Sequence, residues 1–474
     1  MQRSTKIVAT LGPASNDQAV LEKLISAGVN VVRLNFSHGS AADHIERARV
    51  VREVGSKLGV PVGVMVDLQG PKIRVGKFEK GKVTLNNGDR FILDATCELG
   101  NAERVGLDYK DLPRDVEAGA VLLLDDGRIV LEVVSVAGPE IHCRVRVGGV
   151  LSNNKGINRQ GGGLSAPALT SKDMDDIKVA AQLEADYVAV SFPKSGADMY
   201  MARTLLRAAG GHAQVIAKVE RTEAIDNLEE VLDASDGVMV ARGDLAVEVG
   251  DAAVPALQKR MIRMARERNK LTITATQMME SMINSPVPTR AEVSDVANAV
   301  LDGSDAVMLS AETAAGKYPV ETVEAMARVC LEAEKSSDYV LDRAFLQREF
   351  TRIDQSIAMA ALFTANHMKV KAIVALTQTG ATALWMSRVN CGVPIYALTP
   401  EVQTYRRLAL FRDVYPLMLA HDRDREQLLL AAEVELLRQG WVQPGDLVVI
   451  TVGDTVGLVG NTNTMKILRI ADRR

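Results

Sequence analysis

The sequence predicts an α/β protein: a (β/α)8 TIM barrel with an inserted all-β lid domain and a C-terminal open α/β domain. Short apolar runs alternate with helical segments before residue 71 and again after residue 166, which is typical of a buried parallel sheet. Three such runs precede the interruption and five follow it, and eight is the strand count of a barrel. Between residues 71 and 166 turn signals replace helical periodicity, so the insertion should lie in the third β-to-α loop.

The first part of the barrel spans residues 1–70. Apolar positions at helical spacing predict helices over residues 16–27 and 42–57. The strands are short apolar runs next to these helices: Lys6–Gly12, Val29–Phe36 and Val62–Asp67.

The lid insertion spans residues 71–166. Val121–Leu124 and Arg128–Val133 flank an Asp-Asp-Gly turn, which predicts a β-hairpin. Glycine marks two further turns and both exits of the insertion: Asn86-Asn87-Gly88, Gly148-Gly149, Gly70-Pro71 and Gly161-Gly162-Gly163. We expect a hinge at each of the two exits. Alternatively, the three consecutive glycines form a loose loop without a hinge function.

The second part of the barrel spans residues 167–341, and residues 342–474 form a separate open α/β domain. Five strands are predicted in the former: Tyr187–Phe192, Val215–Glu220, Gly237–Asp244, Leu271–Thr276 and Ala306–Ser310. Four are predicted in the latter: Ala372–Thr377, Pro394–Leu398, Val414–Met418 and Asp446–Thr451. Pro416 cannot donate a backbone hydrogen bond, so its strand should lie at a sheet edge.

Composition excludes several classes of protein. The 474 residues are 47% hydrophobic and 24% charged with a net charge of −4, which gives no electrostatic basis for binding nucleic acid or an anionic membrane. The four cysteines have neither metal-ligand nor C-x-x-C spacing, which favours a reducing, cytoplasmic setting. No uncharged apolar stretch approaches the ~18 residues of a membrane span, and the N-terminus leads directly into a strand without a secretory leader.

The chemistry of the barrel should lie at the carboxyl ends of its strands. Lys218 and Glu220 are two residues apart at such an end, so their side chains point the same way. A cation beside an anion suits phosphoryl transfer, although a plain ion pair is the alternative. Polar residues near or just past other strand ends are Arg33, Asn35, Ser37, Asp67, Asp244, Thr276 and Glu312.

Five motifs resemble, in order, those of the pyruvate kinase family: RLNFSHG from Arg33, IAKVERTEAI from Ile216, MVARGDL from Met239, ATQMMESM from Ala275 and MLSAETA from Met308. The resemblance covers essentially the whole chain. It implies transfer of the phosphoryl group of phosphoenolpyruvate to ADP, which gives ATP and pyruvate. It also implies Mg²⁺, with Mn²⁺ as an alternative, and a homotetramer.

The resemblance assigns the reaction to a few side chains. Lys218 should stabilise the transferring phosphoryl group and the enolate left behind, because an ammonium is a compact point charge. Thr276 should contact substrate and orient water for enolate protonation, and its alternative role is to bind a local carbonyl. Glu220 and Asp244 should bind the divalent ion, and Asp244 could also be a helix N-cap.

Substrate and nucleotide contacts are implied in the same way. Arg33 should hold the substrate phosphate, and the Gly243 backbone should approach the substrate carboxylate. In the insertion, Arg74 and Lys155 should contact nucleotide, although Lys155 could be a solvated loop residue. On the barrel, Asn35 and His38 are assigned to the nucleotide side, and His38 could instead be a structural contact.

One region departs from the family pattern. Members that need K⁺ hold it with Asn, Ser, Asp and Thr near a Glu. Here Asn35, Ser37 and Asp67 are present, but Leu68 replaces the threonine and Lys72 replaces the glutamate. The Lys72 ammonium has the charge of K⁺, so our hypothesis is that no K⁺ is needed.

The C-terminal domain offers a hydroxyl-rich loop between a strand and a helix, which suits a phosphate. By resemblance it binds a phosphorylated effector, such as a sugar phosphate or nucleoside monophosphate, and the alternative is an ordinary helix cap. Its residues are Thr377, Gln378, Thr379, Gly380 and Thr382. A second loop, Gly453–Gly460, should close over the same site. A capping box from Thr289 to Glu292 should begin a helix at a subunit interface.

Two other functions remain to be weighed. A related barrel could make or break a carbon–carbon bond of an oxoacid, but it would need no ADP contacts such as Arg74 and Lys155. A catalytically silent metabolite-binding protein is the other alternative. The residues that argue against it are all intact: Lys218, Glu220, Asp244 and Thr276.

Overall fold

A computed structural model describes residues 2–335, 349–389, 391–420, 424–453 and 460–471. The chain begins with the predicted alternation: β1 (Lys6–Thr10), a 3-10 turn (Pro13–Ser15), α1 (Gln18–Ala27), β2 (Val31–Asn35), α2 (Ala41–Leu58) and β3 (Gly63–Asp67). Local chemistry sets the helix ends. The Asp17 carboxylate accepts two backbone N–H groups at the start of α1, and α2 ends at Gly59 with a left-handed φ of 67°.

The insertion is β-rich, with one short helix. Its elements are β4 (Lys77–Phe78), β5 (Lys82–Leu85), β6 (Arg90–Asp94), β7 (Leu99–Gly100), β8 (Arg104–Gly106), α3 (Leu112–Asp115), β9 (Val121–Leu124), β10 (Ile129–Ala137), β11 (Glu140–Val147), β12 (Gly149–Ser152) and β13 (Ile157–Arg159). Six strands form one sheet in the order β13-β9-β10-β11-β6-β8. The β9–β10 hairpin pairs Leu124 with Ile129, as predicted from the Asp-Asp-Gly turn.

The alternation of strands and helices then resumes. The strands are β14 (Tyr187–Val190), β15 (Gln214–Val219), β16 (Gly237–Ala241), β17 (Leu271–Ala275) and β18 (Ala306–Leu309). The helices are α4 (Ser171–Gln182), α5 (Gly196–Ala208), α6 (Thr222–Asp226), α7 (Leu228–Ala234), α8 (Arg242–Val249), α9 (Val254–Glu267), α10 (Arg290–Leu301), α11 (Ala311–Ala314) and α12 (Pro319–Lys335), with 3-10 turns at Asp251–Ala253 and Glu280–Ile283.

These strands close into a parallel barrel in the order β1-β18-β17-β16-β15-β14-β3-β2, which confirms the predicted fold class. Closure occurs where β1 pairs with β18 and also with β2. The strands are buried on both faces, one inside the barrel and one under the helices, and this explains their continuous apolar sequences.

The C-terminal domain is an open sheet with helices. Its elements are α13 (Ile353–Met368), β19 (Ala372–Leu376), α14 (Ala381–Ser387), β20 (Ile395–Thr399), α15 (Val402–Arg407), a 3-10 turn (Leu408–Leu410), β21 (Val414–Met418), α16 (Arg425–Arg438), β22 (Leu447–Gly453) and β23 (Thr462–Arg469). The order β21-β20-β19-β22-β23 puts the Pro416 strand at an edge, which confirms that prediction. The antiparallel edge strand β23 was not predicted.

The barrel and the C-terminal domain share a buried ion pair. Asp305 precedes β18, Arg388 follows α14, and both side chains are almost completely buried. Arg388 Nη1 lies 2.9 Å from Asp305 Oδ2, and the Arg412 N–H donates to the other carboxylate oxygen at 3.1 Å. The two bodies therefore meet at the amino ends of the barrel strands.

Two predictions fall partly or wholly on residues that are not described. The boundary between residues 341 and 342 lies within 336–348, and most of the loop Gly453–Gly460 lies within 454–459, outside the described residues. The boundaries at 70/71 and 166/167 stay predictions. In the described ranges, no helix is both long and apolar enough to cross a membrane.

Candidate active site

Lys218 and Glu220 lie side by side at the carboxyl end of β15. Lys218 Nζ is 2.9 Å from Glu220 Oε1, and both side chains are largely buried. The second oxygen of Glu220 accepts the N–H of Phe192, just after β14, at 2.9 Å. Because backbone and ammonium hold the carboxylate from two sides, its orientation is fixed at the barrel mouth.

Asp67 joins this cluster from the end of β3. It lies 3.3 Å from Lys218 Nζ and accepts a 2.6 Å ion pair from Arg33 Nε at the same barrel mouth. Lys218 also donates to the hydroxyl of Ser191 at 2.7 Å. Two cations thus share the buried carboxylate of Asp67, which is 1% exposed.

The opposite charges of this cluster stabilise the ionised forms of Lys218 and Asp67. Burial by itself would lower the pKa of Lys218, but the carboxylates of Asp67 and Glu220 outweigh it and raise that pKa above its ordinary value. Burial would likewise raise the pKa of Asp67, but Lys218 and Arg33 hold it below its ordinary value. The lysine is therefore a cation and Asp67 an anion at neutral pH.

Glu220 and Asp244 fit a divalent cation. Burial is the main cause that raises the pKa of Glu220; the negative charge of Asp244 acts in the same direction, and the Lys218 ammonium opposes both. Two carboxylates that repel each other and supply hard oxygen atoms are suited to Mg²⁺ or Mn²⁺. Among the described residues no three His, Cys, Asp or Glu side chains form a metal-binding group, so remaining ligands would come from substrate and water.

Asp244 contacts Lys72 and is not the N-cap of its helix. It lies in the first turn of α8, whose N-cap is Ala241, so the N-cap alternative is wrong. Its Oδ1 lies 3.4 Å from Lys72 Nζ, at the start of the insertion. The charge of Lys72 therefore faces the predicted divalent-ion carboxylate.

Thr276 and Gly243 meet where the chain leaves β17 and β16. The Gly243 N–H donates to Thr276 Oγ1 at 2.9 Å, and that hydroxyl donates to the Ala275 carbonyl at 2.7 Å. The local carbonyl contact weighed for Thr276 is thus present. A Cβ on Gly243 would lie 3.6 Å from the Thr276 hydroxyl, an ordinary contact, so this threonine alone does not require glycine there.

The residues predicted for a monovalent cation lie at the ends of two neighbouring strands, Asn35 and Ser37 at β2 and Asp67 and Leu68 at β3. Asn35 Oδ1 accepts the N–H of Ser37 at 3.1 Å, and the His38 carbonyl lies 2.8 Å from the His44 ring. Leu68 is buried in the barrel core and offers no oxygen from its side chain. The Leu68 carbonyl accepts the Ser191 hydroxyl at 2.6 Å, and the absence of a K⁺ requirement stays a prediction.

The two insertion residues make their observed contacts within the insertion. Lys155 Nζ forms a 2.7 Å ion pair with Asp125, so it is a paired residue rather than a merely solvated one. The Arg74 N–H donates to Asp108 Oδ1 at 2.7 Å, and its backbone bridges to Gly156. The structure does not bring Arg74 and Lys155 into contact with the Lys218 cluster.

The hydroxyl-rich loop of the C-terminal domain forms a compact turn before α14. Gly380 has a φ of 84°, and its N–H donates to Thr377 Oγ1 at 2.9 Å. Thr382 Oγ1 lies 3.0 Å from Thr462 Oγ1 in β23, and Thr379 Oγ1 accepts the Ala381 N–H. The N-cap of α14 is Gly380, without a side-chain cap hydrogen bond, so the hydroxyl groups bond within the turn and to β23 and do not form an ordinary helix cap.

Sequence analysis missed three residues that shape the site. Ser191 contacts Lys218, Thr10 Oγ1 accepts from Arg33 Nη1 at 3.0 Å, and Arg242 holds the Thr276 loop. Ser191 and Thr10 are polar residues at strand ends, so a complete list of such positions would have included them. Arg242 also directly follows a strand, β16, but the contact of its side chain with the Thr276 loop depends on a loop conformation that strand spacing does not predict.

Comparison with known proteins gives consistent matches over the chain. A model of "Pyruvate kinase, barrel domain" matches residues 2–323, and one of "Pyruvate kinase, alpha/beta domain" matches residues 355–468. A pyruvate kinase II of Salmonella typhimurium is 54% identical over 476 residues, which cover 99% of both chains. A pyruvate kinase of Haemophilus influenzae is 54% identical over 457 residues, which cover 95% of this chain and 96% of the relative.

Proposed function

Because the chain belongs to the pyruvate kinase family, we propose that its Lys218 cluster serves the family reaction. The enzyme is a phosphotransferase that converts phosphoenolpyruvate and ADP to pyruvate and ATP, in glycolysis. The observation that supports the assignment is the Lys218 ammonium between Asp67 and Glu220 at the barrel mouth. A fixed positive charge at this position stabilises the negative charge that develops on the transferring phosphoryl group and on the enolate.

The test of this function is transfer of phosphorus rather than its release. Purified protein is incubated with phosphoenolpyruvate, ADP and Mg²⁺, and products are followed by ³¹P NMR and by pyruvate determination. We expect one ATP per pyruvate. Pyruvate accompanied by inorganic phosphate alone, or no turnover at all, would contradict the proposal.

Glu220 and Asp244 bind the divalent ion, Mg²⁺ or Mn²⁺, in this proposal. Such an ion neutralises charge on phosphoryl oxygens when it is bound. Glu220 is held in place by Lys218 and the Phe192 N–H, and the Asp244 carboxylate, in the first turn of α8, is paired with Lys72 at 3.4 Å. These contacts support a rigid pair of oxygen ligands.

Arg33, Gly243 and Thr276 complete the substrate site. Arg33 is anchored by Asp67 and Thr10, which leaves further guanidinium N–H groups for a phosphate. Thr276 has a pKa far too high to act as an acid, so its hydroxyl positions substrate and a water that protonates the enolate. The 2.9 Å bond from Gly243 supports this placement.

The insertion is a lid in this proposal, with Arg74 and Lys155 reaching nucleotide and with Asn35 and His38 on the barrel side. Gly161, Gly162 and Gly163 all have left-handed φ values, from 76° to 88°. Three such residues in sequence support a hinge at the exit of the lid.

We propose that the enzyme needs no K⁺. The ammonium of Lys72, 3.4 Å from Asp244, supplies a fixed positive charge beside the site, and Leu68 removes a K⁺ ligand. The C-terminal residues 342–474 act as a regulatory domain, and the loop from Thr377 to Thr382 binds a phosphorylated effector.

Effector binding is tested with a panel of sugar phosphates and nucleoside monophosphates on the wild type and on a Thr377→Ala/Thr382→Ala variant. We expect the variant to keep its basal rate and lose activation. Unchanged activation of the variant by every activator would show that the effector binds elsewhere.

The assembly and the compartment are proposals that the family resemblance supports. We propose a homotetramer in the cytoplasm, with the start of α10 near an interface. The capping box of Thr289 and Glu292 is present there, and Val287 beside it is 65% exposed. All four cysteines are free thiols, which suits a reducing compartment.

A further inference from the structure

The loop after β17 holds two consecutive residues in a backbone conformation that side-chain-bearing residues rarely adopt. φ is +69° at Thr276 and +53° at Gln277. For a β-branched residue this is an outlier, and it persists only where surrounding contacts impose it. The position of the Thr276 hydroxyl therefore depends on whatever holds this loop.

Arg242 is the group that holds it. Its Nε donates to the Ala275 carbonyl at 3.2 Å, and its Nη2 donates to the Thr276 carbonyl at 2.8 Å. Nη2 also lies 2.8 Å from the sulfur of Met278. A planar guanidinium that binds two successive carbonyls fixes the peptide planes on both sides of the Thr276 Cα.

Asp295 in turn fixes Arg242. Its Oδ1 lies 2.7 Å from Arg242 Nη1, the one terminal nitrogen that the loop does not use. Asp295 lies on α10, and α10 is anchored to the same segment because Glu292 accepts the Ser281 N–H at 2.7 Å. A continuous chain of contacts therefore runs from α10 through Arg242 to Thr276.

We infer that Asp295 is a positioning residue for enolate protonation, acting through Arg242 on the Thr276 hydroxyl. The inference rests on the role proposed for Thr276. In that step the C=C electron pair of the enolate takes a proton from water to form the new C–H bond, and hydroxide is left. A lone pair of the enolate oxygen forms the carbonyl of pyruvate. The reverse step exchanges methyl protons of pyruvate with solvent, with no oxidant or reductant.

The test measures the exchange of the methyl protons of pyruvate with solvent. Wild type, Asp295→Asn, Thr276→Ala and the double variant are incubated in D₂O with pyruvate, ATP and Mg²⁺, and loss of the methyl signal is followed by ¹H NMR. We expect Asp295→Asn to slow exchange about tenfold or more, since small misplacements of catalytic groups have effects of this size. The KM for phosphoenolpyruvate should change little, because Arg33 and Lys218 are untouched.

Four comparisons separate positioning from general structural damage. The double variant should exchange no more slowly than Thr276→Ala, because both changes act on one element. Asp295→Glu should recover part of the rate, and Arg242→Lys should resemble Asp295→Asn. The matched control is Asp236→Asn, which loses a 2.9 Å pair with Arg203 at the opposite end of the barrel and should keep the wild-type rate.

The outcomes are distinct. A wild-type exchange rate in Asp295→Asn, or independent effects that multiply in the double variant, would overturn the inference. A wild-type rate in Thr276→Ala would overturn the proposed role of Thr276 and the inference with it. Should Asp295→Asn fail to fold, Arg242→Lys gives the same comparison, and its exchange at the wild-type rate would overturn the inference.

Discussion

The ammonium of Lys218 is in contact with oxygen atoms of Asp67, Ser191 and Glu220, and Arg33 balances the second carboxylate charge. Two cations and two anions thus share one buried space. Burying any one of them alone would be strongly unfavourable, so the four residues depend on one another. The site is a coupled set of charges in which each member orients the others.

Lys72 gives a prediction at the same scale. Lys72→Glu removes a positive charge 3.4 Å from Asp244 and restores the residue type of K⁺-requiring relatives. We expect the wild type to be active with tetramethylammonium as the sole monovalent cation. The variant should need K⁺, with rates in the two salts that differ about tenfold or more, as for loss of one charged contact in an active site.

Lys72→Gln is the control, because it removes the ammonium without adding a carboxylate. It should lower activity in both salts. A wild type that loses activity in tetramethylammonium and regains it with K⁺ would show that Lys72 does not replace the ion.

Sequence alone was sufficient for residues whose direction follows from strand geometry. Lys218 and Glu220 meet because two-residue spacing puts side chains on one face of a strand. The pairing of Arg242 with Asp295 could not be predicted, because 53 positions separate them and an irregular loop determines the geometry. The ion pair of Lys155 with Asp125 escaped prediction for the same reason, since Asp125 lies in a turn with φ of 51°.

At the scale of elements, three barrel strands begin in the same way. An aspartate immediately before β14, β16 and β18 accepts the N–H of a residue at the start of the neighbouring strand. The pairs are Asp186 with Val64, Asp236 with Val215 and Asp305 with Thr272, at 2.8 to 2.9 Å. These carboxylates satisfy backbone donors that the parallel ladder leaves unpaired at the amino end of the barrel.

Asp186 makes this arrangement depend on pH. Burial raises its pKa from 3.8 to about 6, although Arg52 opposes the shift. The folded state therefore binds a proton on Asp186 more tightly than the unfolded state does. Protonation of Asp186 stabilises the folded state fully below pH 4, and this stabilisation is lost as pH rises through 6. Between pH 4 and 7 this proton makes the free energy of unfolding of the wild type fall. In Asp186→Asn that fall should be smaller by about 2 to 3 kcal/mol.

Urea unfolding at a series of pH values measures this difference. Asp175→Asn is the control, because that carboxylate is 74% exposed and should leave the pH profile of the wild type unchanged. Parallel profiles for wild type and Asp186→Asn would contradict the prediction.

Element prediction succeeded where burial was complete and failed at an edge. All eight barrel strands begin within two residues of the predicted positions, because both of their faces are apolar. In the strand β23 only Thr462 is buried, the other seven residues are partly or fully exposed, and the sequence contains Thr, Asn, Lys and Arg. Such an edge strand has no continuous apolar run, so its sequence resembles a loop.

At the scale of the whole molecule, Asp305 and Arg388 join the barrel to the C-terminal domain. Both are almost inaccessible to solvent, and the pair also binds the Lys270 carbonyl and the N–H groups of Thr272 and Arg412. α14 connects the turn at Thr377–Gly380, part of the proposed effector loop, to Arg388, so this ion pair joins that region to the barrel.

Removal of one partner should therefore destabilise the protein. Asp305→Ala leaves the Arg388 guanidinium buried without its counter-ion, and we expect a loss of about 3 to 5 kcal/mol in the free energy of unfolding. Differential scanning calorimetry should show a clearly lower melting temperature. The double variant Asp305→Leu/Arg388→Met should recover much of the loss, and a single variant that melts with the wild type would contradict this account.

The central claim is that the Lys218 charge, held by Asp67 and Glu220, drives phosphoryl transfer. Its most direct test is the rate of ATP formation from phosphoenolpyruvate and ADP by Lys218→Met. Lys270→Met is the control, because Lys270 is a partly buried lysine at the other end of the barrel, 2.7 Å from the Ser235 carbonyl. We predict that kcat falls by about a thousandfold in Lys218→Met and remains near the wild-type value in Lys270→Met. Equal rates in wild type and a folded Lys218→Met would contradict the account.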